Sequence, residues 1–404
     1  MQNKIVLAYS GGLDTSVAIK WLKDTYHADI VCVCVDLGAA KNLEGIQKKA
    51  LTLGAIASEV VDAKAAFAQD FLLPALFANA LYEGRYPLAT ALSRPLIAQE
   101  LAKVAQQHDA FAVAHGCTGK GNDQVRFELT LMALAPHVKV IAPAREWGFT
   151  REEEIAYAGK HGIPIPVTVN SPYSLDVNLW GRSAECGSLE NIGLMPPPDV
   201  YDWTTSPEQA PDAPAIVKIA FDKGVPVALN GNNMALLDII SELNRLGGLH
   251  GIGRIDHVEN RLVGIKSHEI YEAPAAVVLL EAHKDLEMLV HPKDVTHFKT
   301  AIDKKFAEMT YNGQWFHPLM GALQAFQARL QEPVTGTITV KLFKGHVSVV
   351  ARESANSLYN FSLATYDKGD QFNHQAAVGF IQLFGLPQKT LALLHEKQLA
   401  AAQS

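Results

Sequence analysis

The nine residues Ala8-Tyr-Ser-Gly-Gly-Leu-Asp-Thr-Ser16 constrain the fold of this chain more than any other stretch. They overlap the end of a short apolar run, Ile5 to Tyr9, which reads as a buried strand, and lead into Leu13, Val17, Ala18, Trp21 and Leu22 at helical spacing. A strand that turns directly into a helix belongs to a parallel sheet, because parallel neighbours need a crossover connection. The turn is also a ready ligand site. Gly11 and Gly12 let the backbone bend tightly and aim several N–H groups into one concavity. The positive end of the following helix favours an anion there, and Ser10, Thr15 and Ser16 add hydroxyl donors. Asp14 has two uses open to it, a helix cap or a contact with a magnesium ion. Neither GxxxxGK[ST] nor GxGxxG follows the strand, so the loop is of neither the Walker A nor the dinucleotide type.

The same alternation fills the first 165 residues. Ile30 to Val35 reads as a strand, Leu43 to Leu53 as a helix closed by Gly54, and Pro95 to Gln107 as a helix. Ala110 to Ala114 (strand), Asp123 to Leu134 (helix) and Lys139 to Ala142 (strand) follow, and Thr150-Arg-Glu-Glu153 has the pattern of a capping box opening a helix to Lys160. Gly162-Ile-Pro-Ile-Pro166 breaks the pattern, and six prolines from Pro196 to Pro214 stiffen a long connector. Beyond it, Ile216 to Phe221 and Pro226 to Leu229 read as strands, and Met234 to Leu246 as an amphipathic helix stopped by Gly247-Gly248. Thr335 to Leu342 and His346 to Ala351 alternate around Lys344-Gly345 as a hairpin. A last helix from about Pro387 has little core of its own, which suits a frayed end or an oligomerisation arm. The fold class is therefore α/β: a parallel-sheet domain over 1–165, an α+β domain over 166–375 and a tail over 376–404.

Charge and cysteine content narrow the partners. The 404 residues carry 35 basic and 42 acidic side chains, a net −7, which is a poor footprint for nucleic acid. No uncharged stretch reaches the roughly 18 residues of a membrane span, and the N-terminal residues do not read as a secretion signal. Cys32, Cys34, Cys117 and Cys186 contain no CxxC pair, and the first two alternate inside an apolar strand. A reducing cytoplasm is the expected setting, with neither a zinc ribbon nor another protein-held metal centre.

A second glycine-rich stretch, Ala114-His-Gly-Cys-Thr-Gly-Lys-Gly-Asn-Asp-Gln-Val-Arg126, also follows a strand. Arg126 has a fork for a carboxylate, Asn122 can donate and accept, and Asp123 can meet an ammonium. That set suits an amino-acid substrate; a solvated loop capped by Asn122 or Asp123 is the plainer use of the same residues. A lone His115 at a strand end is more often structural, and Cys117 reads as a small filler.

Together the two loops resemble those of the argininosuccinate synthase family, a branch of the N-type ATP pyrophosphatases whose SGGxD[ST] loop holds pyrophosphate. The likeness continues through Arg85-Tyr-Pro-Leu-Ala-Thr90, Arg145 to Val169, Asn178-Leu-Trp-Gly-Arg-Ser183, Gly253 to Arg261, and Arg352-Glu-Ser354 to about Gly379. It implies an adenine-nucleotide-hydrolase-like (Rossmann-like) domain, an α+β synthetase domain and a helical tail that helps build a homotetramer. The implied reaction joins L-citrulline to L-aspartate for arginine biosynthesis, using ATP and Mg2+, through a citrullyl-adenylate, with release of AMP and pyrophosphate.

Carried over position by position, the ATP contacts fall on Ala8, Tyr9, Ser10, Gly11, Gly12, Leu13, Asp14, Thr15, Ser16, Val35 and Gly116. Aspartate contacts fall on Thr118, Asn122 and Asp123, and citrulline contacts on Tyr86, Asn122, Arg126, Ser174, Ser183, Glu259 and Tyr271. No general base is assigned. Without the resemblance, Glu259 reads as a surface carboxylate, Tyr271 as a core aromatic, and Ser174 and Ser183 as loop serines. Two departures stand out: Ala91 replaces a serine found in some members, and Val35-Asp36-Leu-Gly-Ala39 replaces the more usual residues ending the second strand. A sibling ATP pyrophosphatase ligase or a nucleotide-binding sensor would share the first loop but has no reason to keep Arg126, Glu259 and Tyr271.

Overall fold

Strands β1 (Lys4–Ala8) and β2 (Asp29–Asp36) are apolar on both faces, and both faces are covered, as a parallel sheet flanked by helices requires. A computed structural model of the protein describes residues 3–38, 42–164 and 173–403. Ala39, at the end of the unusual turn, and residues 165–172, which hold the Ile165-Pro166 break and the end of the Arg145 to Val169 segment, lie outside the described residues.

The first sheet is built from β1, β2, β3 (Ala57–Asp62), β4 (Ala112–Ala114) and β5 (Lys139–Ile141), in the order β3-β2-β1-β4-β5. All four pairings are parallel. Its helices include α1 (Leu13–Tyr26), α2 (Leu43–Thr52), α3 (Ala89–Gln107), α4 (Asp123–Leu134) and α5 (Arg151–Lys160). The chain winds outward from β1 to β3 and then returns to β4 on the other side of β1. That reversal makes β1 and β4 the switch point, where a crevice opens at the carboxyl edge. The two glycine-rich stretches leave from the carboxyl ends of these adjacent strands.

One local expectation changes and another is met. Helix α3 begins at Ala89, six residues before Pro95, so the proline lies inside the helix rather than in its first turn. The capping box at Thr150 does form: Glu153 N–H donates to the Thr150 hydroxyl at 3.3 Å, and Thr150 N–H to the Glu153 carboxylate at 2.8 Å.

Beyond residue 173 the sheets are antiparallel. One is formed by β6 (Ser174–Asn178), β7 (Gly181–Glu185), β11 (Arg254–Asn260) and β12 (Lys266–Glu272), in the order β11-β12-β7-β6. The other, of order β10-β9-β8-β13-β14, contains β8 (Ala215–Asp222), β9 (Val225–Leu229), β10 (Asn232–Asn233) and the expected hairpin, β13 (Gly336–Phe343) with β14 (His346–Glu353). Helices α6 (Leu236–Leu249), α7 (Pro274–Val290), α8 (Lys293–Tyr311) and α9 (Pro318–Leu330) complete this region. Ile239, Leu243, Leu279, Phe306 and Ile338 are fully buried in its core. Glu272, wholly buried at the end of β12, pairs with Arg182 at 2.8 Å and accepts from the N–H groups of Asp202, Trp203 and Thr204, which pins the proline-rich connector to the sheet.

Residues Met1–Asn356 form one compact unit and Ser357–Ser404 a second. The second contains α10 (His374–Phe384) and α11 (Leu386–Ala402), neither of which buries a residue. Among the described residues no single helix is long and apolar enough to cross a membrane; these last two reach that length only as a pair bent by 46°.

Gly247-Gly248 does not stop α6, which runs on to Leu249. Both glycines are there for packing. A Cβ on Gly247 would lie 2.9 Å from Pro274 Cβ, and one on Gly248 would lie 2.3 Å from the Trp203 carbonyl oxygen. Alanine gains about 1 kcal/mol over glycine in a helix interior, but overpacking against main chain costs about 1–3 kcal/mol or more. Gly248→Ala should therefore destabilise the protein by about 1–2 kcal/mol, read as a lower urea midpoint at unchanged slope. A rise in the midpoint would show that propensity outweighs the clash.

Candidate active site

The first loop is shaped from behind. Gly11 has φ of +77°, the left-handed region, and its carbonyl accepts from Lys49 Nζ at 2.7 Å. Ser10 Oγ accepts from Gly12 N–H at 3.3 Å and lies 3.2 Å from Thr15 Oγ1, while Tyr9 Oη lies 3.3 Å from Ser16 Oγ. Gly12 is the N-cap of α1 and, as a glycine, brings no capping side chain to that end. An uncapped helix start behind a glycine turn is a natural anion seat.

Asn122 is the N-cap of α4, but its side chain does not cap that helix. Instead Asn122 Oδ1 accepts from Leu262 N–H at 2.9 Å and Nδ2 donates to Tyr311 Oη at 2.8 Å. Asp123 takes Arg94 Nε at 2.8 Å on one oxygen and Arg126 Nη1 at 2.9 Å on the other. Arg94 also reaches Asp176 at 2.9 Å. Arg126, 3% exposed, donates through Nε to the Tyr311 carbonyl at 3.0 Å, and its Nη2 is buried with no hydrogen-bond partner among the described residues. Burial by itself would raise the Asp123 carboxyl, but Arg94 and Arg126 outweigh it and hold the group below the usual carboxylate range. His115 is buried, stacks on Phe127 and accepts from Cys117 N–H at 3.2 Å through Nδ1. Burial pushes the Cys117 thiol up, which makes it a poor nucleophile.

Period-two alternation accounts for the third wall. In the β6-β7-β12 part of its sheet, Asp176 pairs with Ser183 and Ser183 with Tyr271, while Ser174 faces Glu185 two positions along. These side chains share one face. On β11 the inward positions are His257 and Glu259, both buried, between the exposed Asp256, Val258 and Asn260. Glu259 is thus an interior carboxylate, 3% exposed, and the surface reading of it is overturned. Tyr271 donates to Glu259 Oε2 and Tyr311 to Oε1, each at 2.5 Å. The Tyr86 and Tyr271 rings stack with centroids 4.0 Å apart, and Tyr86 Oη accepts from Thr90 N–H at 2.9 Å.

These walls enclose one cavity of about 700 Å3. Every site residue expected above lines it except Gly11 and Ser16. Thr90, Ser93, Arg94 and Ile97 face it at the i, i+3, i+4, i+7 spacing of one side of α3, whereas Ala91 is buried in the core. Val35 lines the cavity, and the neighbouring Asp36 is engaged by Lys64 at 2.5 Å and by Gly38 N–H at 2.9 Å.

Arg94, Asp176, Glu185, Arg261 and Glu269 line the cavity without having been singled out from the sequence. Arg261 bridges Glu185 and Glu269, and burial together with Glu185 raises the Glu269 carboxyl. For Asp176, Glu185 and Glu269, polar residues two apart on the strands were the one available signal; Arg94 lies on α3 and Arg261 just beyond β11. Tyr311 was missed as well, and nothing in the sequence around it marks it. Among the described residues no cluster of three or more His, Cys, Asp or Glu could hold a metal ion.

A phosphate-type loop at the switch point of a parallel sheet, sharing a cavity with paired guanidinium and carboxylate groups, defines a nucleotide-binding α/β protein with room for a second polar ligand. Residues 4–164 match the arginosuccinate synthase N-terminal HUP domain and residues 173–391 the arginosuccinate synthase C-terminal domain. The chain belongs to the argininosuccinate synthase family, as its two loops imply. The argininosuccinate synthase of Bacillus pumilus is 57% identical over 399 residues, covering 99% of this chain and 99% of that one. That of Symbiobacterium thermophilum is 56% identical over 398 residues (98% and 99%), and that of Oceanobacillus iheyensis 56% over 397 (98% and 95%).

The Asp123 pairing gives a pH test. A carboxyl held low in the folded state contributes stability above its unfolded value of about 4 and loses it as pH falls through the folded value. Asp123→Asn leaves two largely buried guanidinium groups half-paired, so it should cost about 3 kcal/mol at pH 7. Urea unfolding should show that gap unchanged from pH 8 to 5 and shrinking below about pH 4. A gap that closes near pH 6 would contradict the assignment.

Proposed function

We propose that this chain joins L-citrulline to L-aspartate at the expense of ATP, releasing AMP and pyrophosphate in arginine biosynthesis. The observation that carries the reading is Arg126: a buried guanidinium with one N–H face unpartnered among the described residues, beside the ionised Asp123, in the cavity that holds the phosphate-type loop. A free buried guanidinium edge asks for a carboxylate, and both amino acids bring one.

The chemistry needs two displacements. The ureido oxygen of citrulline attacks the α-phosphorus of ATP; the bond to the β-phosphate oxygen breaks and pyrophosphate leaves. The aspartate amine then attacks the ureido carbon of the citrullyl-adenylate, the carbon–oxygen bond to AMP breaks, and the amine proton passes to solvent or to the departing phosphate. Catalysis is alignment plus charge stabilisation. In our assignment Ala8 to Ser16, Val35 and Gly116 hold ATP, with the loop N–H groups and hydroxyls on the departing pyrophosphate. Thr118, Asn122 and Asp123 hold aspartate, with Asp123 on its ammonium. Tyr86, Asn122, Arg126, Ser174, Ser183, Glu259 and Tyr271 hold citrulline, with Glu259 as the acceptor for its N–H groups.

The residues present suit magnesium in its substrate-bound form: Asp14, Ser10 and Thr15 place hard oxygen donors in the cavity, with no protein cage among the described residues, which is how Mg2+ rides on nucleotide phosphates. When bound, it would neutralise charge on the phosphate oxygens.

We assign nucleotide binding to residues 1–165, the synthetase role to 166–375, and assembly of a homotetramer in the cytoplasm to the tail, 376–404. Phe380, Ile381, Leu383 and Phe384 on α10 and Leu391 and Leu394 on α11 are exposed, a run of apolar surface that suits burial against further copies of the chain. Sedimentation should report four chains, and a smaller species once the tail is removed.

Pyrophosphate release should require citrulline and aspartate together, with AMP formed in equal amount. Arg126→Lys keeps the charge but cannot serve Asp123, the Tyr311 carbonyl and a ligand at once. It should lower kcat/KM for citrulline roughly 100-fold while changing KM for ATP little. Release without citrulline would identify a sibling ligase, and none under any combination would identify a binding protein.

A further inference from the structure

We propose that Tyr311, which lies outside both glycine loops and outside every family-derived contact, is the positioning residue that sets how this site presents its groups to both amino acids. The proposal rests on the ligation reading above. A phenol has one proton to give and lone pairs to accept with. Tyr311 gives its proton to Glu259 Oε1 at 2.5 Å and accepts from Asn122 Nδ2 at 2.8 Å. Its main-chain carbonyl accepts from Arg126 Nε at 3.0 Å, and the Arg126 guanidinium carbon lies 4.8 Å from the centre of its ring. Three expected substrate contacts, on β11, at the start of α4 and within α4, therefore meet on the last residue of α8.

The connections fix polarity as well as place. Because Leu262 N–H takes Asn122 Oδ1, the amide cannot turn over, and the hydrogen bond to Tyr311 leaves one Nδ2 hydrogen for a ligand. Asn122 is thereby restricted to donating, toward a carboxylate or the ureido oxygen. Glu259 receives two phenol protons, from Tyr271 and Tyr311, and keeps its remaining lone pairs for N–H groups. Burial and the Glu259 charge hold the Tyr311 phenol well above its ordinary value, so it stays a donor over the working pH range.

The residue itself is firmly seated. Its ring stacks face to face on Tyr82 with centroids 3.5 Å apart. The turn after it lies so close to α4 that a Cβ on Gly313 would sit 2.7 Å from Arg126 Cα.

Tyr311→Phe keeps the ring and its stack and removes only the oxygen. In the full enzyme it should raise KM for citrulline and for aspartate each on the order of tenfold, with KM for ATP within about twofold. The melting temperature should fall by less than about 4 °C. In a Glu259→Gln background the same change should add little to the citrulline KM, because the two residues act as one unit. Tyr82→Leu, which unseats the ring without touching a substrate-facing atom, should give a milder version of the same split. Unchanged amino-acid constants, penalties additive with Glu259→Gln, or a rise in all three constants alongside a large loss of melting temperature would each overturn the proposal. Failure of the wild-type enzyme to use citrulline in the same assay would instead remove the ligation reading beneath it.

Discussion

The adjacency of β1 and β4 is the constraint on which the site depends. The chain leaves β1 in one direction and comes back to the other side of the same strand, so two glycine-rich turns that are about 100 residues apart open side by side. Later parts of the first unit then build against that crevice. Helix α3 supplies Thr90, Ser93 and Arg94 from one side, and the β11-β12-β7-β6 sheet supplies a polar face from another. A phosphate seat and an amino-acid seat arise together because neighbouring parallel strands end at one edge.

Charged pairs fix the polar groups of a cavity wall that is otherwise largely apolar, and that choice has a physical logic. Buried ion pairs add little net stability compared with a hydrophobic wall, since desolvation offsets most of the attraction. They do fix direction. Asp123 between Arg94 and Arg126, and Glu259 between two phenols, leave each group a single orientation and a known set of free atoms. A site that must align a ureido oxygen, a phosphorus and an amine gains more from that fixed geometry than it loses in stability.

Much of this was legible in the sequence, and the pattern of what was not is informative. The alternation of the first 165 residues reads directly as a parallel sheet because buried strands are continuously apolar and helices keep their 3.6-residue period. The two loops read as ligand sites because glycine, hydroxyl and charge concentrate where packing asks for none of them. Gly247-Gly248 misled, because glycine is used there for close approach by Trp203 and Pro274, a tertiary fact with no local mark. Glu259 misled for a related reason: inward polar residues on a strand look like a solvated face until the ligand cavity is known. Tyr311 could not be found at all, since its importance lies in three partners, each 52 residues or more away along the chain.

The central claim is that this cavity activates a ureido oxygen with the α-phosphate of ATP before the second amino acid reacts. Citrulline labelled with oxygen-18 at the ureido position tests that most directly. Because the ureido carbon loses its oxygen to phosphorus, mass spectrometry after turnover with ATP and aspartate should find the label in AMP, one atom per molecule formed. Unlabelled AMP, with the heavy oxygen released to water, would contradict the account.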